Sequence, residues 1–369
     1  MSSATRPVDA TMTDDRHVPA TMRAVVIRGP HHLAVEEVGT PTAQPGQVLI
    51  KISHCLLCTW EQRIYTGASS MKLPFIPGHE ASGTIVAVPE GTVTSFKVGD
   101  RVVFKTLDHC GHCSYCYTGR DNQCTGAARK RFYDGIPGSG GLAQYIALDP
   151  ARVFPIPGGT TDDTVLASAA FTEALACCVH SVERAGLSFG DTAVVIGAGI
   201  MGQLHVILSG LRGARCIVVE PRADRRQLAR TLGARDTVDP LQEDGRQRIM
   251  TLTSGEGADA VFLTAPDPAL AETAIGMARK TGRVVFYGSF HPNRPITIDP
   301  NAVHYSEVII TGSSGPATAD FVKASRLIAY GMAPVEKLLT RLYPLEQADE
   351  AFKAALSPDS YRVGIVMAG

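Results

Sequence analysis

The sequence carries almost no net charge. Its 35 Lys and Arg stand against 36 Asp and Glu, a formal net charge of -1, so no field gathers nucleic acid or an anionic membrane. No apolar run approaches the roughly 20 residues that a membrane-spanning helix needs. The first 21 residues are polar, rich in Ser, Thr and Asp, and lack the apolar core of a signal peptide. They read as a disordered leader or a start-site remnant, with ordered chain from Met22. Nine cysteines, an odd count without a secretory signal, disfavour a disulfide framework and favour a reducing, by default cytoplasmic, compartment. With 369 residues, 44% of them hydrophobic, there is room for two domains with real cores.

The cysteines that are present are concentrated. Cys110, Cys113 and Cys116 follow a C-x2-C-x2-C spacing, and Cys124 comes after seven more residues. That spacing brings four thiolates around one tetrahedral ion, a closed structural zinc site with no position left for substrate. A loop of that length needs a local staple, and a metal is the simplest one. Upstream lie Cys58 and the triplet Gly78-His79-Glu80. A catalytic zinc takes three protein ligands and keeps one position open. Cys58 and His79 are the first two candidates, and Glu80 puts a carboxylate nearby. For the third, Glu173, Cys177, Cys178 and His180 all lie on one helical stretch. Each has a bland reading as well: a lone His is mostly a satisfied core residue, and paired helical Cys mostly pack as small apolar groups.

Residues 22–156 read as β, with short apolar runs at 23–27, 48–52, 84–88, 101–104 and 143–148 between Gly and Pro breakers. This suggests a curled sheet or partly open barrel, from which a cysteine lobe (106–127) projects. After Pro157 a helix over 167–185 leads into alternating strand and helix: 192–196, a helix from Ile200, 216–219, a helix over 225–232, 258–263, a helix over 269–279, and 284–287. Such alternation implies a parallel, doubly wound sheet over 157–315. Short β segments follow at 296–298 and 308–310. A helical piece (345–356) and a strand (363–367) within 316–369 return to the first domain.

Between the first of these strands and its helix stands Gly197-Ala-Gly199-Ile200-Met201-Gly202. Gly197 permits the tight turn, Gly199 lets the backbone approach a pyrophosphate, and Gly202 allows close helix–strand packing. Glu220 ends the next strand, where a carboxylate accepts from both ribose hydroxyls and repels a 2′-phosphate. This favours NAD over NADP, although Arg222 and Arg225 could receive such a phosphate. A closed zinc site, an open one and a nucleotide loop together point to metal-assisted hydride transfer.

At these residues the chain resembles the zinc-containing medium-chain dehydrogenase/reductase (alcohol dehydrogenase) family, from about Met22 onward. The resemblance is carried by Val48–Cys58, Pro77-Gly-His-Glu-Ala-Ser-Gly83 and Val98-Gly-Asp-Arg-Val102. Phe171-Thr-Glu-Ala-Leu-Ala176 resembles the Glu-Pro-Leu-Ala stretch of the polyol (sorbitol) and threonine dehydrogenase branches, which transfers the third-ligand role to Glu173. The resemblance implies a Rossmann domain joined to a chaperonin-10-like β core, and two zinc ions per chain. It also implies a homodimer or homotetramer paired through an edge strand near 296–298. Two positions depart from the family pattern. The proton-relay hydroxyl two residues after Cys58 is replaced by Trp60, the only tryptophan, and the relay histidine by Arg63. Neither passes a proton onward, so Thr59, Tyr65 or water would have to. Glu61 replaces the Asp that steadies the zinc-bound histidine and still offers a carboxylate. Trp60 reads either as an apolar wall or as a surface stacking on substrate.

The leading expectation is an NAD-dependent zinc enzyme acting on a secondary alcohol or polyol. A second is a specialised reductase of an iminium, an activated C=C or a bulky ketone, suggested by Trp60 and Arg63. A third is a non-catalytic nucleotide-binding module.

Overall fold

The computed structural model describes residues 18–126, 131–158, 164–290 and 293–367. Residues 1–17 of the expected leader lie outside this range, as does the last residue of the expected cysteine lobe. Ordered chain begins earlier than Met22, because Thr21 already pairs with Gly39 in the hairpin of Thr21–Gly29 and His32–Gly39.

The parallel sheet is six-stranded. In chain order its strands are Thr192–Ile196, Arg215–Val219, Asp236–Val238, Ala258–Leu263, Ala278–Phe286 and Ile309–Gly312, and in space they run 3-2-1-4-5-6. That is the doubly wound order, with the switch point between the first and fourth strands. Every residue of these two strands except Thr192 and Asp259 is buried, as a sheet covered on both faces requires. Alternate side chains serve opposite cores. Val195, Val218 and Phe262 pack under the helices Thr172–Ala185 and Ile200–Leu211, whereas Val194, Ile217 and Val261 pack with Ile249 and Ala274 on the other face.

The β-rich part holds a seven-stranded sheet in which Val48–Leu56 is the hub, pairing with Glu80–Ala87, Tyr145–Leu148 and the C-terminal strand Arg362–Val366. Leu339–Pro344 extends the sheet beyond Arg362–Val366. The last strand thus closes against one of the first, in line with the expected return of the strand at 363–367 to the first domain. The core of this part combines Ile50, Ile52, Val102 and Ile146 with Phe352 and Ile365 from the C-terminal stretch.

Three expectations need correction. The stretch 167–185 is two helices, Thr164–Ala169 and Thr172–Ala185. The break at Ala170 and Phe171 is invisible to periodicity because both are fully buried. The helix expected over 269–279 stops at Ile275, and by Ala278 the chain is already in the fifth strand of the parallel sheet. The segment 296–298 is not a strand: Pro295 lacks the N–H a ladder needs, and the segment joins no sheet among the described residues. The edge is Ile309–Gly312. No helix among the described residues is long and apolar enough to cross a membrane.

Candidate active site and zinc lobe

Cys58 caps the short helix Thr59–Thr66, and the third residue of that helix, Glu61, organises what surrounds it. Glu61 is fully buried. Its Oε2 accepts from the Cys58 N–H at 3.0 Å, while its Oε1 accepts from the Gly78 N–H at 3.2 Å and lies 2.6 Å from His79 Nδ1. One carboxylate therefore aligns the cysteine and the histidine together. Gly78 makes this turn possible: its φ is +100°, and a Cβ there would stand 2.4 Å from the Leu142 nitrogen.

With Nδ1 engaged, His79 presents Nε2, which lies 3.9 Å from Glu173 Oε2 on the first turn of the helix Thr172–Ala185. Burial opposes the imidazolium, yet Glu61, Cys58 and Glu173 hold the His79 pKa well above its ordinary value. A sulfur, an imidazole and carboxylates crowd one another here, and this donor set suits zinc. Among the described residues, Cys58 groups with Glu61 and His79, and His79 with Glu80 and Glu173, at distances a single ion spans.

Glu80, though in the second of these groups, is also tied to an arginine. Its Oε1 accepts from Arg362 Nη2 at 2.5 Å, both side chains are buried, and burial raises the carboxyl to about 7 even against the pull of Arg362. Arg362, at the head of the C-terminal strand, was not foreseen; 282 positions separate the partners, and nothing local in the sequence links them. Among the described residues, the other third-ligand candidates are not grouped with Cys58 or His79. Cys177 Sγ lies 3.4 Å from Glu173 Oε1, Cys178 turns to the Tyr287 hydroxyl, and His180 pairs with Asp320 at 3.0 Å.

The cysteine lobe matches its spacing. The Cys113 and Cys116 sulfurs are 3.6 Å apart, Cys113 and Cys124 3.9 Å, and Cys110 and Cys116 4.0 Å. Four sulfurs at about 2.3 Å from a central zinc sit about 3.8 Å from one another, so the cage has the right size. The Cys116 and Thr125 N–H groups pull the Cys113 thiol down to about 5, favouring thiolate. Asp121 anchors the lobe, taking Lys105 Nζ at 2.5 Å and both the backbone N–H and the hydroxyl of Thr318. Sequence reading had not singled out Asp121.

A cleft of about 1140 Å³ runs from Cys58, Thr59, Trp60 and Arg63 to the nucleotide loop. Gly197, Gly199, Ile200, Met201, Gly202, Glu220 and Arg225 all line it. Two glycines meet different demands. A Cβ on Gly202 would stand 2.0 Å from the Gly197 oxygen, so packing forbids it, whereas a Cβ on Gly199 would project into open space, as a cradle for a pyrophosphate requires. Glu220 is buried and accepts from the Ala198 and Arg222 N–H groups. Arg222 does not line the cleft; it is turned to Asp224, Asp359 and the Pro358 carbonyl. Arg225 bonds the same carbonyl and stands over the Tyr361 ring. Trp60 meets the Phe75 and His79 rings edge-on, an apolar wall at the mouth of the site. Tyr65 is no relay: its hydroxyl bonds Asp349 and does not reach the cleft.

A doubly wound nucleotide sheet facing a sulfur, imidazole and carboxylate set defines a metal-dependent dehydrogenase. The family model described as Alcohol dehydrogenase GroES-like domain matches residues 44–158, and that described as Zinc-binding dehydrogenase matches 201–330. The chain is 31% identical to the sorbitol dehydrogenase of Bacillus subtilis, covering 92% of this chain and 95% of that one. It is 30% identical to the erythritol/L-threitol dehydrogenase of Mycolicibacterium smegmatis, covering 95% and 99%. Among solved structures, a zinc-binding dehydrogenase from Sinorhizobium meliloti bound to NADP superposes with a TM-score of 0.84 at 27% identity, covering 94% and 100%. The chain belongs to the zinc-containing alcohol dehydrogenase family of medium-chain dehydrogenases/reductases. It is a zinc-dependent oxidoreductase acting between alcohols and ketones with a nicotinamide cofactor.

Proposed function

We propose that this enzyme oxidises a secondary alcohol or polyol with NAD, using Cys58, His79 and Glu173 to hold a catalytic zinc and Cys110, Cys113, Cys116 and Cys124 to hold a structural one. The observation that carries this is His79, which stands at ligand distance from Cys58 and Glu61 in one group and from Glu80 and Glu173 in another, with Cys58 lining the cleft that the nucleotide loop also lines. Bound there, zinc supplies Lewis acidity to a hydroxyl or carbonyl oxygen, and nicotinamide exchanges the hydride. The chain's own residues do the rest. Glu61 fixes the His79 tautomer and the Cys58 backbone. Trp60 walls the mouth, which excludes water from one side. Thr59 is the side-chain hydroxyl beside Cys58 on the cleft, and it stands in for the missing relay.

NAD is favoured because Glu220 uses only part of its acceptor capacity on backbone N–H groups, leaving lone pairs for ribose hydroxyls. Both arginines that could neutralise a 2′-phosphate are engaged by residues 358–361. The polyol reading draws on the substrates named for the sorbitol and erythritol/L-threitol relatives. We assign 22–156 with 316–369 to the catalytic domain and 157–315 to the nucleotide domain, in a cytoplasmic homo-oligomer. The test combines metal analysis with a substrate screen on one sample. Two zincs per chain and zinc-dependent NAD reduction by a polyol are expected; turnover of imines or enals but of no alcohol would sink the reading.

A further inference from the structure

Cys177 stands one helical turn after Glu173, on the same side of the helix Thr172–Ala185. Its Sγ lies 3.4 Å from Glu173 Oε1, whereas Glu173 Oε2 lies 3.9 Å from His79 Nε2. The two oxygens of one carboxylate therefore have different neighbours, a thiol for one and an imidazole for the other. An ionised carboxylate only accepts, and a thiol is a weak donor, so the contact runs from the Cys177 S–H to Oε1.

The backbone beneath the pair is fixed. Ala174, Leu175, Ala176 and Cys178 are all buried in the core that also holds Val195 and Phe262, so the helix sets how Cys177 stands to Glu173. Cys177 is not grouped at ligand distance with Cys58 or His79 among the described residues. Any influence it has on an ion there passes through Glu173. Glu61 plays the matching part for His79, engaging Nδ1 and leaving Nε2 free to face Glu173. Ligating carboxylates, like ligating imidazoles, are held by such hydrogen bonds.

We propose that Cys177 is a positioning residue, whose thiol holds Oε1 of Glu173 and thereby presents Oε2, beside His79 Nε2, to the catalytic zinc. This inference rests on the reading of Glu173 as a zinc ligand and adds the group that orients it.

The test is chelator competition on the zinc-loaded full chain, with the zinc of the cysteine lobe as an internal reference. Cys177→Ala is expected to weaken the catalytic zinc about tenfold, the low end of such effects because a thiol donates weakly. Cys177→Ser keeps a donor on a side chain of similar shape and is expected to bind that zinc like the wild type. A thiol that merely filled space would make Ser no better than Ala, and that result overturns the inference. So does unchanged affinity in Cys177→Ala, or a loss shared by the lobe zinc together with a lowered thermal midpoint. One zinc per chain in both variants would make Cys177 itself a ligand and overturns it as well. Glu173→Ala separates the two readings. If this variant holds the catalytic zinc as tightly as the wild type, the ligand assignment falls and the inference with it. If it loses that zinc while Cys177→Ala keeps it, the inference alone fails.

Discussion

Glu61 concentrates more of the site than any other residue, because its two oxygens serve Cys58, Gly78 and His79 at once. Glu61→Gln keeps the shape but puts a neutral amide against the His79 ring. Zinc binding at the catalytic site is expected to weaken about 10- to 100-fold, measured by competition with a chelator while the cysteine lobe keeps its metal. Arg362 is the counterpart on the far strand. Its loss in Arg362→Met leaves Glu80 buried without a partner and is expected to destabilise the protein by about 3–5 kcal/mol in denaturant titration. The paired change Glu80→Gln with Arg362→Met should recover much of that. These two residues mark the limit of what was legible. The C-x2-C-x2-C-x7-C spacing and the glycine loop lie in continuous sequence and announced themselves. Arg362 and Asp121 matter through contacts far apart in sequence, and no local pattern encodes those.

Elements were legible where an apolar run stands between breakers and illegible where it does not. Thr192–Ile196 and Ala258–Leu263 were read to the residue because short, mostly apolar runs there sit between turn signals. The helix Thr59–Thr66 went unread, since it is short, polar and capped by a cysteine rather than by the Ser or Thr of the usual capping box. Within the helix Ile200–Leu211, His205 supplies an element-scale prediction. It is fully buried, bonded to the Met201 carbonyl and the Ser181 hydroxyl, and burial depresses its pKa to about 4. The unfolded chain titrates near 6.5 and so binds more protons between pH 6.5 and 4. Stability from the neutral imidazole is full above pH 6.5 and falls as pH drops toward 4, by on the order of 3 kcal/mol. Denaturant titrations across that window should show the slope, and His205→Gln should flatten it.

At the scale of the whole molecule, the lobe and the C-terminal stretch tie the catalytic part to the helix that carries Glu173. Asp121 binds Thr318 at the start of the helix Thr318–Ala329, whose Asp320 in turn pairs with His180 on Thr172–Ala185. Stripping the lobe of zinc, or replacing Cys113 by Ser, should therefore lower activity as well as stability; activity untouched by lobe metal would show that the tether is slack. The outer edge of the parallel sheet offers a surface for a partner. Ile309–Gly312 pairs on one side only, and Ile309 is 48% exposed. Tyr305 and Ile298, both exposed, lie in the chain just before it. Arg184 holds the Gly312 carbonyl and the Thr311 hydroxyl, so the open ladder positions are those around Ile309 and Ile310. An exposed apolar edge invites strand pairing, and a Lys on it opposes such pairing. The oligomer proposed above should therefore come apart on Ile309→Lys, with the light-scattering mass falling from a multiple of the chain to a single chain. The monomer should keep its full zinc content, because no zinc ligand sits on this edge. A wild type that already runs as one chain would show instead that the edge stays unpaired.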